Sequence, residues 1–300
     1  MKTRATRWRH LAAEAVVLLV AAGSLITGLT GPAAAVVAQV PLTGLEEISD
    51  TEDATSWFAG ASVTCPYGKK VVGTGWTTNP ASSQLRLRAL VPSERTVYVT
   101  VEEAYEGFDG SWSVTVRAMC ADNPPGWNLV RSWSATNSDS YRTARATCPG
   151  QTRPLGTGFE QTESDMNAVV TDISLNLFDV AVAAYEDEGG TNDLWAVRAY
   201  AICADPPAGW RVLTSNNQTS YPSTSEYTGC TGDTTAISSG GDLNGAWGQV
   251  VLTGLRTLAY DDDGDGEVSQ FGMARAHEDE TGAPDGWDLI NSVVCAEASP

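Results

Sequence analysis

From residue 112 to 120 apolar and polar side chains alternate: Trp112, Val114, Val116, Ala118 and Cys120 are interleaved with Ser113, Thr115, Arg117 and Met119. A period of two predicts a β-strand with one buried face. The pattern returns as Trp195, Val197, Ala199, Ala201 and Cys203. Further short runs rich in Val and Leu, at 96–101, 169–177, 179–184 and 249–255, are bounded by Gly, Asn, Asp or Pro, and after residue 35 no stretch carries a sustained helical stripe. The expectation is an all-β protein with five or six short strands in each repeated unit.

The repetition is explicit. Residues 184–205, AYEDEGGTNDLWAVRAYAICAD, return without a gap as 276–297, and a shorter copy occupies 104–122. Cysteines set the frame: Cys65 and Cys120 are 55 positions apart, Cys148 and Cys203 also 55, and Cys230 and Cys295 are 65 apart. In each copy a tryptophan, Trp112, Trp195 or Trp287, stands eight positions before the second cysteine. Three tandem β repeats of about 80 residues follow, at 44–122, 127–205 and 210–297, separated by NPPG and PPAG turns. Equivalent residues in equivalent units should be equivalently close, which predicts the bridges Cys65–Cys120, Cys148–Cys203 and Cys230–Cys295. Each unit is expected to be a small antiparallel, disulfide-stapled sheet structure. Separate beads and closure around a pseudo-threefold axis bury the same alternating faces, so both remain open here.

Ahead of the repeats, Lys2, Arg4, Arg7 and Arg9 precede an apolar run over 15–29 and the small-residue stretch GPAAAVVA. This is the form of an export signal over 1–35, with 36–43 as a linker; an uncleaved membrane anchor is the alternative. The expected product is secreted and free of the membrane, in a compartment that supports disulfides. Removing the signal leaves 14 basic and 36 acidic side chains, a net of about −22. That charge repels nucleic acid and anionic membranes, and serves solubility outside the cell.

The words CPxG, GTGF, AYED, W and CAD, in that order and in tandem, resemble uncharacterised exported repeat proteins of actinobacterial type, a likeness that covers the chain after the signal and implies export and repeat architecture. The Cys-Pro and Gly-Phe opening alone is more weakly similar to the vitelline membrane outer layer proteins. That resemblance implies a three-sheet β-prism and carbohydrate contact.

Three features carry candidate chemistry. The third copy's extra ten residues include 261–267, DDDGDGE, which lies where the other copies make short turns. Its alternating carboxylates, Asp261, Asp263, Asp265 and Glu267, are a candidate calcium site, helped by Ser269, Glu278 or Asp279. The residue twelve from Asp261 is Gly272, so the bidentate Glu of an EF-hand is missing, and a solvated acidic loop is the alternative reading. The acidic hairpins 105–110, 185–190 and 277–282 recur, with His277 in the place of Tyr105 and Tyr185; they read first as tight turns, and closure of the units would gather them into an acidic ring. Of the tryptophans, Trp112, Trp195 and Trp287 read as core and Trp127 and Trp210 as caps of the repeat junctions. Trp57, Trp133 and Trp247 have no counterparts in other copies, which frees them to contact an extracellular glycan or cell-surface component.

The function these features favour is a secreted, non-catalytic binding or surface-coat protein for carbohydrate or cell wall. The rival is an extracellular carbohydrate-active hydrolase using paired carboxylates. After the signal the chain holds a single histidine, and paired cysteines are not nucleophiles, so neither a Ser-His-Asp site nor a cysteine enzyme is indicated.

Overall fold

The structure, a computed structural model, describes residues 39–162, 167–261 and 268–300. The first repeat forms β1 (Glu46–Asp53), β2 (Phe58–Thr64), β3 (Lys69–Asn79), β4 (Leu85–Pro92), β5 (Thr96–Glu103) and β6 (Ser113–Asp122). The second forms β7 (Asn128–Trp133), β8 (Tyr141–Thr147), β9 (Arg153–Gln161), β10 (Ala168–Leu175), β11 (Asp179–Glu186) and β12 (Val197–Ala204). The third forms β13 (Arg211–Thr219), β14 (Ser223–Gly229), β15 (Thr234–Asn244), β16 (Val250–Tyr260), β17 (Ser269–Glu278) and β18 (Trp287–Glu297).

Eighteen strands make three antiparallel six-stranded sheets, in the orders β1-β6-β3-β16-β17-β14, β13-β18-β15-β10-β11-β8 and β2-β5-β4-β9-β12-β7. The first, sixth and third strands of one repeat are thus continued by the fourth, fifth and second strands of another, and the rule permutes cyclically. The repeats therefore close on one another around a pseudo-threefold axis. The sequence reading placed a sheet within each copy; here every sheet belongs to two copies.

The seams between repeats are short. Leu90 faces Phe159, Ile173 faces Gly241, and Leu255 faces Trp76, each beside one further residue pair. Trp76 and Phe159 are fully buried, while their counterpart Gly241 leaves a space closed by Leu252, Leu255 and Ala274. One bulge in each of β3, β9 and β15, at Val72, Leu155 and Ile237, turns these strands toward each other, and all three bulged side chains are buried.

The predicted inward faces are buried throughout: Trp112, Val114, Val116, Ala118 and Cys120 in the first copy, and Trp195, Val197, Ala199, Ala201 and Cys203 in the second. The alternation fails along β12, where Ile202 is also buried because it lies over Gly156, which has no side chain of its own. Trp127 and Trp210 cap the junctions as expected, donating their indole N–H to the Val71 and Pro154 carbonyls at 2.8 and 3.0 Å.

The third repeat adds a buried polar tie that the others lack. Asn291 of β18 donates to Gly272 O of β17 at 2.7 Å and to the Thr228 hydroxyl of β14 at 2.9 Å, and accepts from Ser239 at 2.8 Å. Its counterparts are Val116 and Ala199. A buried amide is tolerable only when so satisfied, and here it locks β14 and β17 of one sheet to β15 and β18 of another.

All three predicted disulfides are present. Each joins two sheets. Cys65 directly follows β2 and meets Cys120 in β6, Cys148 directly follows β8 and meets Cys203 in β12, and Cys230 directly follows β14 and meets Cys295 in β18. Three disulfides in an all-β chain fit an oxidising compartment.

Candidate functional site: an acidic mouth at one end

The connections β5–β6, β11–β12 and β17–β18 gather at one end, and a shared device shapes them. Trp112, Trp195 and Trp287 donate their indole N–H to Glu103, Glu186 and Glu278 at 2.8, 3.1 and 2.8 Å. Each glutamate lies nine residues before its tryptophan. A buried indole needs such an acceptor, and the bond fixes where each hairpin starts. Four residues after each glutamate comes a glycine in the left-handed region, Gly107, Gly190 or Gly282, with φ of 79°, 58° and 72°. Between them the N–H groups of Ala104, Asp187 and Asp279 donate to the carbonyls of Gln84, Asn167 and Gln249 at 2.8, 2.7 and 2.8 Å.

These equivalences correct the hairpin alignment. Matching the words AYEG, AYED and HEDE puts Tyr105 with Tyr185 and His277. The bonds instead put Glu102 with Tyr185 and His277, and Tyr105 with Glu188 and Glu280, a slip of three residues. The constant nine-residue spacing from glutamate to tryptophan was the available signal.

Tyr105, Glu188 and Glu280 occupy equivalent places and line one cavity of about 300 Å³, together with Glu106, Asn167 and Asp187. Asp187 is nearly buried and paired with the equally buried Arg86 of the first repeat at 2.7 Å. The Glu188 carboxylate is held down by its own backbone N–H. Burial and the neighbouring Asp279, Asp187 and Glu280 carboxylates outweigh that bond, so its pKa lies above the ordinary glutamate value. The hairpins do form an acidic rim. Its asymmetry is the informative part: the first copy contributes an exposed tyrosine where the other two contribute glutamates.

A second carboxylate pair lies at the seam between β10 and β15, where Asp172 stands directly opposite Asp242. Burial, and then the Asp242 carboxylate, push Asp172 up to about 7, although the Leu243 N–H and the Thr171 hydroxyl donate to it. In the folded protein the pair holds a proton that an unfolded Asp172 would release near its ordinary value of 3.8. The associated stability is present below about pH 4 and is lost as pH rises toward 7. The upper bound is about 4 kcal/mol, and partial exposure brings the expectation to on the order of 1–2 kcal/mol. Asp172→Asn should therefore flatten the fall in melting temperature between pH 5 and pH 8. An unchanged slope in thermal melts would count against a shared proton. His277 works in the opposite sense, since burial and then the Arg275 guanidinium lower it to about 4, so its contribution is lost as pH falls from 6.5 toward 4. The variant comparison isolates the aspartate.

The other predicted site residues are dispersed. Of the candidate calcium ligands, Asp261 follows β16, and Asp263, Asp265 and Glu267 lie outside the described residues. Ser269 pairs with Tyr260 beside that segment, whereas Glu278 pairs with Val250 at the far end of β17. Ten strand residues span about 30 Å, so Glu278 and Asp279 cannot lend ligands to Asp261. Both are occupied at the mouth end, Glu278 by Trp287 and Asp279 by Thr281 and Gly282. Among the described residues no group of three metal-ligating side chains is brought together. Trp57, Trp133 and Trp247 are all exposed, at 51%, 41% and 71%, and do not meet one another.

Fold and site define a disulfide-tied all-β protein of three shared sheets with an acidic mouth that Tyr105 helps to line. Compared with protein-family models and with curated proteins, the chain matches none.

Proposed function

We propose that this is a secreted, non-catalytic binding protein that takes an extracellular glycan at the mouth. The observation that carries the reading is the grouping of Tyr105, Glu188, Glu280 and Asn167 around one cavity. An aromatic face stacks on a pyranose ring, while carboxylates and an amide bond its hydroxyls. The acidic rim disfavours uronate and phosphate polymers, so the ligand is a neutral or amino-bearing cell-wall glycan. Export by the 1–35 signal and the disulfides fit that setting.

Titration calorimetry against soluble oligosaccharides tests this. Tyr105→Ala and the pair Glu188→Gln with Glu280→Gln should each weaken binding by about tenfold, on the order of 1.4 kcal/mol. Chelation of calcium should leave affinity unchanged, because the strand ends flanking 261–267 lie at the opposite end from the mouth. Full affinity in both variants would refute the mouth as the site.

A hydrolase is the second reading, and one observation favours it: Glu188 and Glu280 line the same cavity, and burial followed by the Asp279, Asp187 and Glu280 carboxylates raises the Glu188 carboxyl despite its backbone hydrogen bond. Reducing-end release from the bound glycan separates the two, and the binding reading expects none. The Asp172 and Asp242 pair does not serve hydrolysis, because these side chains are within hydrogen-bond reach of each other. Glycosidase carboxylates stand about 5 Å or more apart.

A further inference from the structure

Among the described residues Trp247 is the sole non-glycine in the left-handed region, at φ 44°. A bulky side chain there is strained by about 1–2 kcal/mol. The turn that holds it is forced: Gly245 and Gly248 also have positive φ, Ala246 is buried, and a Cβ on Gly248 would lie 2.3 Å from Glu186 O. Glycine would suit position 247 better. The indole instead projects outward, so core packing does not explain its retention. Strain kept at an exposed aromatic points to use.

The indole has company. Its ring meets Tyr185 edge to face at 6.0 Å and 86°, and Tyr185 lies 4.5 Å from Tyr141 at 38°. The three rings come from the β15–β16 turn, β11 and β8, and so from two repeats. The Trp247 and Tyr185 ring planes stand nearly at a right angle and make an aromatic corner.

We propose that Tyr141, Tyr185 and Trp247 form a second saccharide-binding surface beside the mouth, clasping one pyranose ring in an aromatic corner. The proposal rests on the reading of this protein as a glycan binder. The other two exposed tryptophans lack the arrangement. One face of Trp133 is covered by the Arg198 guanidinium at 3.8 Å, itself held by Glu160 at 2.9 Å. The Trp57 ring meets its chain neighbour Phe58, edge on, at 5.1 Å.

The test uses the full exported chain with cellohexaose, N-acetylchitohexaose and maltohexaose, read by calorimetry and by tryptophan emission. Native protein should bind at least one with a blue shift of emission. Trp247→Ala should lose about tenfold in affinity and abolish most of the shift, whereas Trp57→Ala and Trp133→Ala should stay within about twofold. Trp247→Gly separates binding from folding: it should melt at or above the native temperature, because the strain is relieved, yet bind as weakly as Trp247→Ala. Native affinity in both Trp247 variants, with loss in Tyr105→Ala, would overturn the corner and leave the mouth standing. Failure of native protein to bind any of the three sugars would overturn both.

Discussion

Replacing Gly73 by alanine is expected to cost about 3 kcal/mol or more, the upper part of the overpacking range, and to loosen closure of the whole molecule. A Cβ at this position would fall 1.9 Å from the Ile237 carbonyl oxygen, 2.9 Å from its carbon and 3.1 Å from the Met119 Cβ. The first two are backbone atoms of β15 in another sheet, so no rotamer change relieves the clash. The counterpart in the second repeat, Gly156, is nearly as tight, with a Cβ 2.7 Å from the Val72 oxygen. The third counterpart is Ser238, whose hydroxyl lies 3.4 Å from the Thr74 carbonyl. The axis therefore has room for one side chain in three. Ser238→Gly, which removes only long hydroxyl contacts to Thr74, should change stability by about 1 kcal/mol, and Gly73→Ala by several times that. Denaturant midpoints of the two variants check the asymmetry, and a Gly73→Ala protein within 1 kcal/mol of native would contradict the close approach of β3 and β15.

Much of this architecture was readable in the chain and the rest depended on contacts that leave no local mark. Alternation from Trp112 to Cys120 announced a strand because one of its faces is buried wherever the strand pairs. The repeated 55-residue interval announced the bridges because each closes within one copy. The sharing of sheets was not readable. Leu90 against Phe159, or Ile173 against Gly241, is an ordinary apolar contact, and those few pairs decide whose strand continues whose sheet. The acidic ring was foreseeable once closure was granted, but the repeated word AYE set its first member three residues out of place. The spacing between Glu103 and Trp112, set by a hydrogen bond, was the better guide than the lettering of the turn. The pairing of Asp172 with Asp242 could not be picked from the many acids of the chain, since a seam between repeats brings them together. Trp57, Trp133 and Trp247 were found at the surface by their lack of counterparts, because a core position in one copy is a core position in the next. Which of them has a free aromatic neighbour depends on Arg198, Phe58 and Tyr185, and therefore on tertiary structure.

Removing the Cys148–Cys203 bridge with a pair of alanines should cost about 4 kcal/mol, and either of the other bridges about the same. The chain-entropy argument depends on loop length, and the three loops span 55, 55 and 65 residues, which differ by only about 0.1 kcal/mol. The loops follow one another along the chain without nesting, so their effects on the unfolded ensemble add. Loss of two bridges should therefore cost about 8 kcal/mol, comparable to the whole stability of an ordinary domain. Such a variant is expected to be largely unfolded at 37 °C. Topology makes the additivity informative. The bridges join the first sheet to the third, the second to the third, and the first to the second, so any two still tie all three sheets together. After a second loss one sheet is held only by its short seams and by packing. If only the unfolded chain matters, the costs of single and double removal add within about 0.5 kcal/mol. If the covalent circuit also limits splaying of the native sheets, the second removal costs more than the first. Denaturant unfolding of the three single-bridge variants and one two-bridge variant decides between these. A single-bridge loss below about 1 kcal/mol in all three would show that the seams alone hold the sheets closed.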